Sequence, residues 1–389
     1  MSKPKVLFYV QHLLGIGHLK RATTLARAMT DAGLQVTVVS GGEYVPVIDD
    51  SGMEFVQLPA IRAEDRTFKT LVNMKGAQLS DALKEKRRNK LLNLFNEICP
   101  EILMIELFPF GRRQLEFEVL PLLDTANGAD MRPIIVSSVR DILVEKNNSS
   151  RETDMVKKAK AYFDHILVHG DPNLIAFEET FPLASELRHM LHYTGYVVER
   201  ESFVHSQKKI GLGEVIVSSG SGAVGELLLR SALRIRKFTY LSEVKWRLLA
   251  GHYMPEEVFE SIRASADKGV MVERARPDFI SLLQNCRLSI SQGGYNTVME
   301  VLATGANGIA VPYAGGRETE QTLRVKLMEK RGLIRQIPEG QLSDKILIEA
   351  VNRTQNQTRN KKFKINMDGA IASANLVATW AKELKDSYA

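Results

Sequence analysis

The sequence has almost no cysteine. Cys99 and Cys286 stand far apart with no CxxC spacing, which excludes a disulfide framework and a zinc ribbon and fits a reducing compartment. No apolar run approaches the ~18 residues needed to span a bilayer. Met1–Gly15 runs into a strand-like stretch, with no apolar leader core and no small-residue cleavage site. Proline is sparse, 13 against 27 glycines, so tight turns outnumber rigid linkers. HExxH, GxSxG and a paired-Asp DxD are all absent, and the eight histidines show no metal-ligand spacing. Metalloprotease, α/β-hydrolase and the common metal-dependent sugar-transfer signature lose support, and no metal is expected. The basic clusters come without a zinc module or an aromatic-basic RNA motif, so nucleic acid is not the expected partner.

What is there is an alternation of strands and helices. Lys5–Gln11 reads as a buried strand, and Leu19, Ala22, Leu25, Ala26 and Met29 then recur at helical spacing. Further strands are expected at Gln35–Ser40, Glu54–Leu58, Glu101–Glu106, Pro133–Ser137 and His165–His169, with a long helix within Phe68–Ile98. The pattern restarts near residue 195, with strands at Glu214–Ser219, Lys245–Ala250, Gly269–Val272, Arg287–Ser291 and Gly308–Val311. Such alternation implies βαβ units and parallel sheets, an α/β class. The 389 residues suit two domains, placed at 1–200 and 201–389 with a hinge in Tyr193–Gly213. Ala370–Leu384 has the apolar spacing of a helix that packs back on the N-terminal domain.

Two nucleotide motifs fail on inspection. Gly15-Ile16-Gly17 follows the first strand, but Lys20 occupies the third glycine of GxGxxG, and Ser40-Gly41-Gly42 stands where a ribose-binding acid would end the second strand. Gly220 and Gly225 have Walker spacing, but Glu226-Leu227 replace the Lys-Ser/Thr. No bound cofactor is expected.

Three segments survive, each at the carboxyl end of a strand, where open α/β sheets bind ligands. In Gly15-Ile16-Gly17-His18-Leu19-Lys20-Arg21 the glycines leave room for a substrate, and a neutral His18 at the helix start can take a proton near pH 7. The plainer alternative is a histidine bonding its own loop. In Ser291-Gln292-Gly293-Gly294-Tyr295-Asn296-Thr297 a strand enters a helix through two glycines, and free amides there suit a diphosphate. Glu300, further along that helix, can accept two hydrogen bonds from a sugar diol or stand as a solvated carboxylate. After Pro312, Glu320-Gln321 begin another helix, either as readers of sugar hydroxyls or as acids favoured by the helix dipole.

Taken together, these segments resemble a GT-B glycosyltransferase of the MurG-like branch, family 28, and an uncharacterised bacterial group within it. The resemblance is strongest over Phe279–Ile334, where the glycine turn, Glu300, Gly305, Pro312 and Gln321 keep the family's order. It implies a GT-B fold, two Rossmann-like domains facing across a cleft, with the donor held by the second. Gln292, Gly293, Gly294, Asn296 and Thr297 would line the diphosphate and Glu300 would hold the ribose. Glu320 and Gln321 would bind the sugar, Gly220-Ser221-Gly222 would form a second phosphate-side loop, and Val272–Pro277 would carry backbone contacts to the base. His18 would be the general base near the acceptor, with Glu106 and Asp141 as alternatives at strand ends. Gly15, Gly17, Arg21, Arg112 and Arg140 would lie on the acceptor side. The implied reaction is inverting, metal-independent transfer from a UDP-sugar to a carbohydrate or lipid-linked acceptor in the cytoplasm.

The chain departs from that family in places. It lacks the Gly-Gly-His of true MurG, and Glu106-Leu107-Phe108-Pro109-Phe110-Gly111-Arg112-Arg113 is not a peptidoglycan-synthesis signature; its phenylalanines and arginines would suit an amphipathic acceptor. A Gly-x-Gly-His followed by Arg21 also resembles nucleotide-sugar hydrolases on this fold, and a 2-epimerase or a non-catalytic sugar-binding protein are further alternatives. The net charge of +6 is unevenly spread. Arg62–Lys90 and Arg353–Lys364 each net +5, leaving the rest slightly acidic. The first would suit anionic lipid at the inner face of a membrane, and a solvated helical face is the plainer reading.

Overall fold

The computed structural model describes residues 3–13, 15–45, 52–65, 70–143, 149–199, 209–220, 225–315, 319–356 and 363–388. It divides into two compact units, Met1–Val197 with Ile365–Ala389, and Val198–Lys364. The last 25 residues therefore count with the first unit, and the second ends at Lys364 rather than at the chain terminus.

The first unit is built on a parallel sheet in the order β3-β2-β1-β6-β7-β8-β9. Its strands are β1 (Lys5–Val10), β2 (Gln35–Ser40), β3 (Glu54–Gln57), β6 (Ile102–Glu106), β7 (Ile134–Arg140), β8 (His165–His169) and β9 (Leu191–Tyr193). The two-residue period of a strand sends Leu7 and Tyr9 into one apolar layer and Val6, Phe8 and Val10 into the other. Both faces are apolar because helices cover both, which is why the strand reads as an unbroken hydrophobic run. Helix α1 (Gly17–Asp31) and the final helix α11 (Gly369–Tyr388) cover one face, the latter through Ala374, Val377, Trp380 and Ala381. Helices α2 (Asp81–Ile98), α3 (Glu116–Asn127) and α4 (Ser149–Tyr162) accompany the other.

The helix expected within Phe68–Ile98 begins only at Asp81, where Ser80 caps it by accepting from the Leu83 amide at 3.2 Å. Ahead of it, β4 (Ile61–Ala63) and β5 (Leu71–Asn73) form an antiparallel hairpin. Nor is the basic run 62–90 one solvated face. Arg87 is fully buried, its Nε and Nη2 donating to the two Glu118 oxygens at 2.8 and 2.7 Å. It also donates to the Gly41 and Pro59 carbonyls and to Gln11 Oε1. Tyr9 donates its hydroxyl to Glu118 at 2.6 Å. Arg87 thus fastens α2 to α3, to β1 and to the loop after β2.

The second unit repeats the plan with six parallel strands in the order β12-β11-β10-β13-β14-β15. These are β10 (Val215–Ser218), β11 (Trp246–Ala250), β12 (Val270–Arg274), β13 (Leu288–Ser291), β14 (Gly308–Ala310) and β15 (Arg335–Gln336). Its helices are α5 (Glu226–Ile235), α6 (Glu256–Ala264), α7 (Phe279–Asn285), α8 (Tyr295–Thr304), α9 (Glu320–Lys330) and α10 (Asp344–Thr354). The central strands β10 and β13 lie side by side, Ser218 opposite Ser291, so the loops that follow them emerge together.

Candidate active site

In the first unit, parallel register brings the carboxyl ends of four strands to one edge. Tyr9 lies opposite Ile105, Glu106 opposite Ser138, and Arg140 opposite His169. Helix α1 starts just beyond β1 with Ile16 at its N-cap, no side-chain cap and no acid in its first turn. His18 is its second residue.

There His18 Nδ1 meets Glu106 Oε1 at 2.6 Å, and Arg21, one turn along α1, donates Nη2–H to the same oxygen at 2.5 Å. Glu106 is 2% exposed. Burial works against its charge, but His18, Arg21 and Arg112 outweigh burial and hold its carboxyl far below the usual range. Burial pushes His18 down to about 3, against the pull of Glu106, so the imidazole is neutral at pH 7. The two arginines are then the standing cause of the carboxylate's ionisation. A neutral imidazole bonded to a carboxylate through Nδ1–H presents Nε2 as its acceptor. This is the geometry of a general base with its tautomer fixed from behind.

The other first-unit candidates divide. Gly15 has open space where a side chain would project. Arg112, half-buried, and Arg140, at the end of β7, both lie within electrostatic reach of His18. Asp141 is packed rather than presented: it is fully buried and accepts the Tyr196 hydroxyl at 2.7 Å. Glu106 is bonded to His18 and Arg21 through one oxygen rather than standing apart. Phe108 and Phe110 belong to the core, 1% and 2% exposed, so they form no acceptor surface.

Sequence reading passed over two histidines of this edge. His169 is fully buried between Ser138 Oγ at 2.8 Å and Thr194 Oγ1 at 3.0 Å. His12 lies two residues beyond β1 and is 3% exposed. Their one sequence signal was position at a strand's carboxyl end. Burial lowers His169 to about 3 and His12 to about 4, with Arg21 and Arg112 adding respectively.

Depressed histidines have a consequence for stability. The unfolded chain binds their protons near pH 6.5, and the folded chain only near 3–4. Stability is therefore full above pH 6.5 and declines as pH falls toward 4, by up to ~1.4 kcal/mol per pH unit for each buried histidine. Urea midpoints should drop between pH 7.5 and 5.5; equal midpoints would contradict neutral burial.

In the second unit, β13 is followed by Gln292, whose Nε2 donates to the Val311 carbonyl at 3.2 Å and to Glu339 at 3.3 Å. Gly293 has φ +78, and a Cβ there would lie 3.1 Å from Pro312 Cα. The turn needs glycine on both counts. Gly294 then caps α8 without a side-chain bond, with nothing within 4 Å of its would-be Cβ. The dipole of α8 favours an anion at this N-terminus, beside Asn296 and Thr297. Gly293→Ala should weaken binding of a nucleoside diphosphate by about tenfold or more and cost ~1–2 kcal/mol of stability. Gly294→Ala should leave the fold unchanged. Calorimetric titration and melting of the two variants make the comparison.

Glu300 lies buried on α8. Gly220, two residues beyond β10, has φ +72 and donates its amide to Ser218 Oγ at 3.2 Å. Ser221 and Gly222 lie outside the described residues. Val272–Pro277 covers the end of β12 and the turn beyond it. Glu320 departs from expectation. It is 1% exposed and paired with the buried Arg324 at 2.8 Å, whose guanidinium lies 5.0 Å from the Tyr295 ring. It braces α9 against the start of α8 rather than presenting itself to a sugar. Gln321 accepts the Tyr313 amide at 3.3 Å. Among the described residues, no group of three His, Cys, Asp or Glu side chains is placed to hold a metal ion. No described helix is long and apolar enough to cross a membrane.

Comparison with known proteins places this architecture. Residues 226–379 match the glycosyltransferase family 28 C-terminal domain. Over its whole length the chain has the GT-B fold. It superposes on the calicheamicin glycosyltransferase with a TM-score of 0.61 at 16% identity, covering 99% of this chain and 98% of that one. On Acinetobacter baumannii MurG the TM-score is 0.55 at 13% identity, covering 98% and 99%. The fold is thus GT-B, and residues 226–379 resemble the family 28 C-terminal domain. A curated relative from Thermotoga neapolitana is the UDP-N-acetylglucosamine--N-acetylmuramyl-(pentapeptide) pyrophosphoryl-undecaprenol N-acetylglucosamine transferase, 22% identical over 192 residues. That match spans 49% of this chain and about half, 53%, of the relative.

Proposed function

We propose that the protein is an inverting, metal-independent glycosyltransferase that moves a sugar from a UDP-sugar to an acceptor hydroxyl. The observation that carries the reading is the His18–Glu106 pair, a neutral imidazole at 2.6 Å from an ionised carboxylate. His18 Nε2 takes the acceptor's proton as its oxygen attacks the anomeric carbon, and Glu106 stabilises the imidazolium that forms. The bond from that carbon to the β-phosphate oxygen breaks, configuration inverts, and UDP leaves. The donor belongs to the second unit. The amides after Gly293-Gly294 neutralise the leaving diphosphate, Glu300 takes the ribose hydroxyls, and Gln321 reads the sugar. Arg21, Arg112 and Arg140 belong to the acceptor side, in the first unit.

The kinship with a transferase named for a pyrophosphoryl-undecaprenol substrate favours a lipid-linked acceptor, and peripheral contact with the inner face of a membrane would accompany it. The same dyad would activate water, so a nucleotide-sugar hydrolase is the second reading. NMR of a UDP-sugar incubated with candidate acceptors separates them. Transfer gives UDP and a glycoside of inverted configuration; free sugar alone, or an isomerised UDP-sugar, counts against transfer.

A further inference from the structure

At the carboxyl edge of the second unit's sheet, one side chain joins two loops that the sequence keeps apart. Glu339 opens the short 3-10 turn Glu339–Gln341, beyond β15. That turn is itself held in place. The Ile337 amide donates to the Ala310 carbonyl at 2.9 Å, and the Leu342 amide donates to the Glu339 carbonyl at 3.1 Å. From there the carboxylate reaches outward on both sides. Its Oε1 accepts from Gln292 Nε2 at 3.3 Å, in the loop after β13. Its Oε2 accepts the Ala314 amide at 2.9 Å, in the loop after β14.

The two loops leave each other little slack. Gln292 is 6% exposed, and its amide can lie only one way. One end of it stands between the Val311 carbonyl and the Glu339 carboxylate, both acceptors, so nitrogen must fill that place. The oxygen is thereby turned toward Gly225, where a Cβ would lie 2.9 Å from it. The next residue, Gly293, approaches Pro312 so closely that a Cβ would meet Pro312 Cα at 3.1 Å. Two residues on from Pro312, the Ala314 amide returns to Glu339, while the Tyr313 amide is held by Gln321 at 3.3 Å. Gln292, Gly293, Pro312, Ala314 and Glu339 thus close a ring. A carboxylate suits its closing position, because it offers a separate acceptor oxygen to each loop and its bonds are charge-assisted.

We propose that Glu339 is a positioning residue of the donor site. It holds the glycine turn that receives the diphosphate in register with the loop that leads to Gln321. It acts through the Gln292 side chain and the Ala314 amide. A turn fixed beforehand loses less freedom when the ligand arrives, and that difference appears as affinity. This inference rests on reading the second unit as the donor side.

The test is calorimetric titration of the full chain with UDP, with melting temperature read beside it. Glu339→Ala removes both bonds and should weaken UDP about tenfold. Glu339→Gln keeps one acceptor oxygen, hence one of the two bonds, and should fall between Glu339→Ala and wild type. Glu339→Asp keeps the charge but is one methylene shorter, and should bind no better than Glu339→Gln. Melting temperatures should fall by no more than about 4 °C. Gln292→Met should weaken UDP by itself. Combined with Glu339→Ala it should cost clearly less than the product of the two separate effects, because one residue acts through the other. A lower melting temperature with UDP affinity unchanged in Glu339→Ala would make Glu339 a structural brace only and overturn the proposal, as would effects that multiply independently. Should Glu339→Ala fail to fold, Glu339→Gln and Glu339→Asp carry the same comparison. Absence of UDP binding in the wild type would overturn the donor reading and this inference with it, whereas equal affinities in wild type and variants overturn this inference alone.

Discussion

Glu106→Gln lowers sugar transfer by roughly 10²–10⁴-fold while leaving the affinity for UDP unchanged. The amide cannot hold His18 Nδ1–H as a charged acceptor, and it cannot stabilise the imidazolium that forms as the acceptor loses its proton. His18→Gln removes the base itself and should fall in the same range. Because the two act as one unit, the double variant should be hardly worse than either single one. Glu106→Gln also leaves the Arg21 guanidinium without its 2.5 Å partner, so melting temperature and UDP affinity must be read beside the rate. Full activity in His18→Gln would remove that residue from the base role.

Arg87→Leu should destabilise the protein by about 3–5 kcal/mol, the range for removing one partner of a buried ion pair. The loss comes chiefly from what remains. Glu118 is fully buried and would be left with the Tyr9 hydroxyl, at 2.6 Å, as partner. The carbonyls of Gly41 and Pro59 would lose their donor as well. Pairing the change with Glu118→Leu should recover a substantial part of the loss, since an apolar pair of similar volume needs no compensating charge. Urea denaturation of the single and double variants measures both steps. A single variant as stable as wild type would mean that α2 is held by its apolar face alone.

Arg87 also shows where sequence reading reaches its limit. In a stretch of nine basic residues it has the look of one more solvated cation. Its burial depends on Glu118, 31 residues away on another helix, and no local pattern carries that pairing. The β4–β5 hairpin was hidden for a related reason: three-residue strands are too short to show a period. The main parallel strands were legible because each is covered on both faces and so runs apolar without interruption, as Lys5–Val10 and Ile102–Glu106 do. Once the strands are parallel and in one sheet, their carboxyl ends share an edge. That made His18, Glu106 and Arg140 readable as candidates.

What the sequence did not contain was which candidates touch. His18 and Glu106 are 88 residues apart, and only the adjacency of β1 and β6 makes them a pair. Asp141, just beyond β7, is instead packed against Tyr196, beyond β9. At the start of α9 no local pattern shows that Arg324, one turn later, draws Glu320 inward. The phenylalanines after Glu106 looked like a substrate surface, but the turn between Leu107 and Arg112 folds them into the core.

The central claim is that the second unit holds a UDP-sugar by backbone amides at a glycine-led helix. Calorimetric titration of the full chain with UDP in EDTA, with NAD and ATP as controls, tests it most directly. The account predicts saturable binding of UDP that Gly293→Ala weakens about tenfold or more while Gly294→Ala keeps the fold. Binding of NAD or ATP in preference to UDP, or UDP binding indifferent to Gly293→Ala, would contradict it.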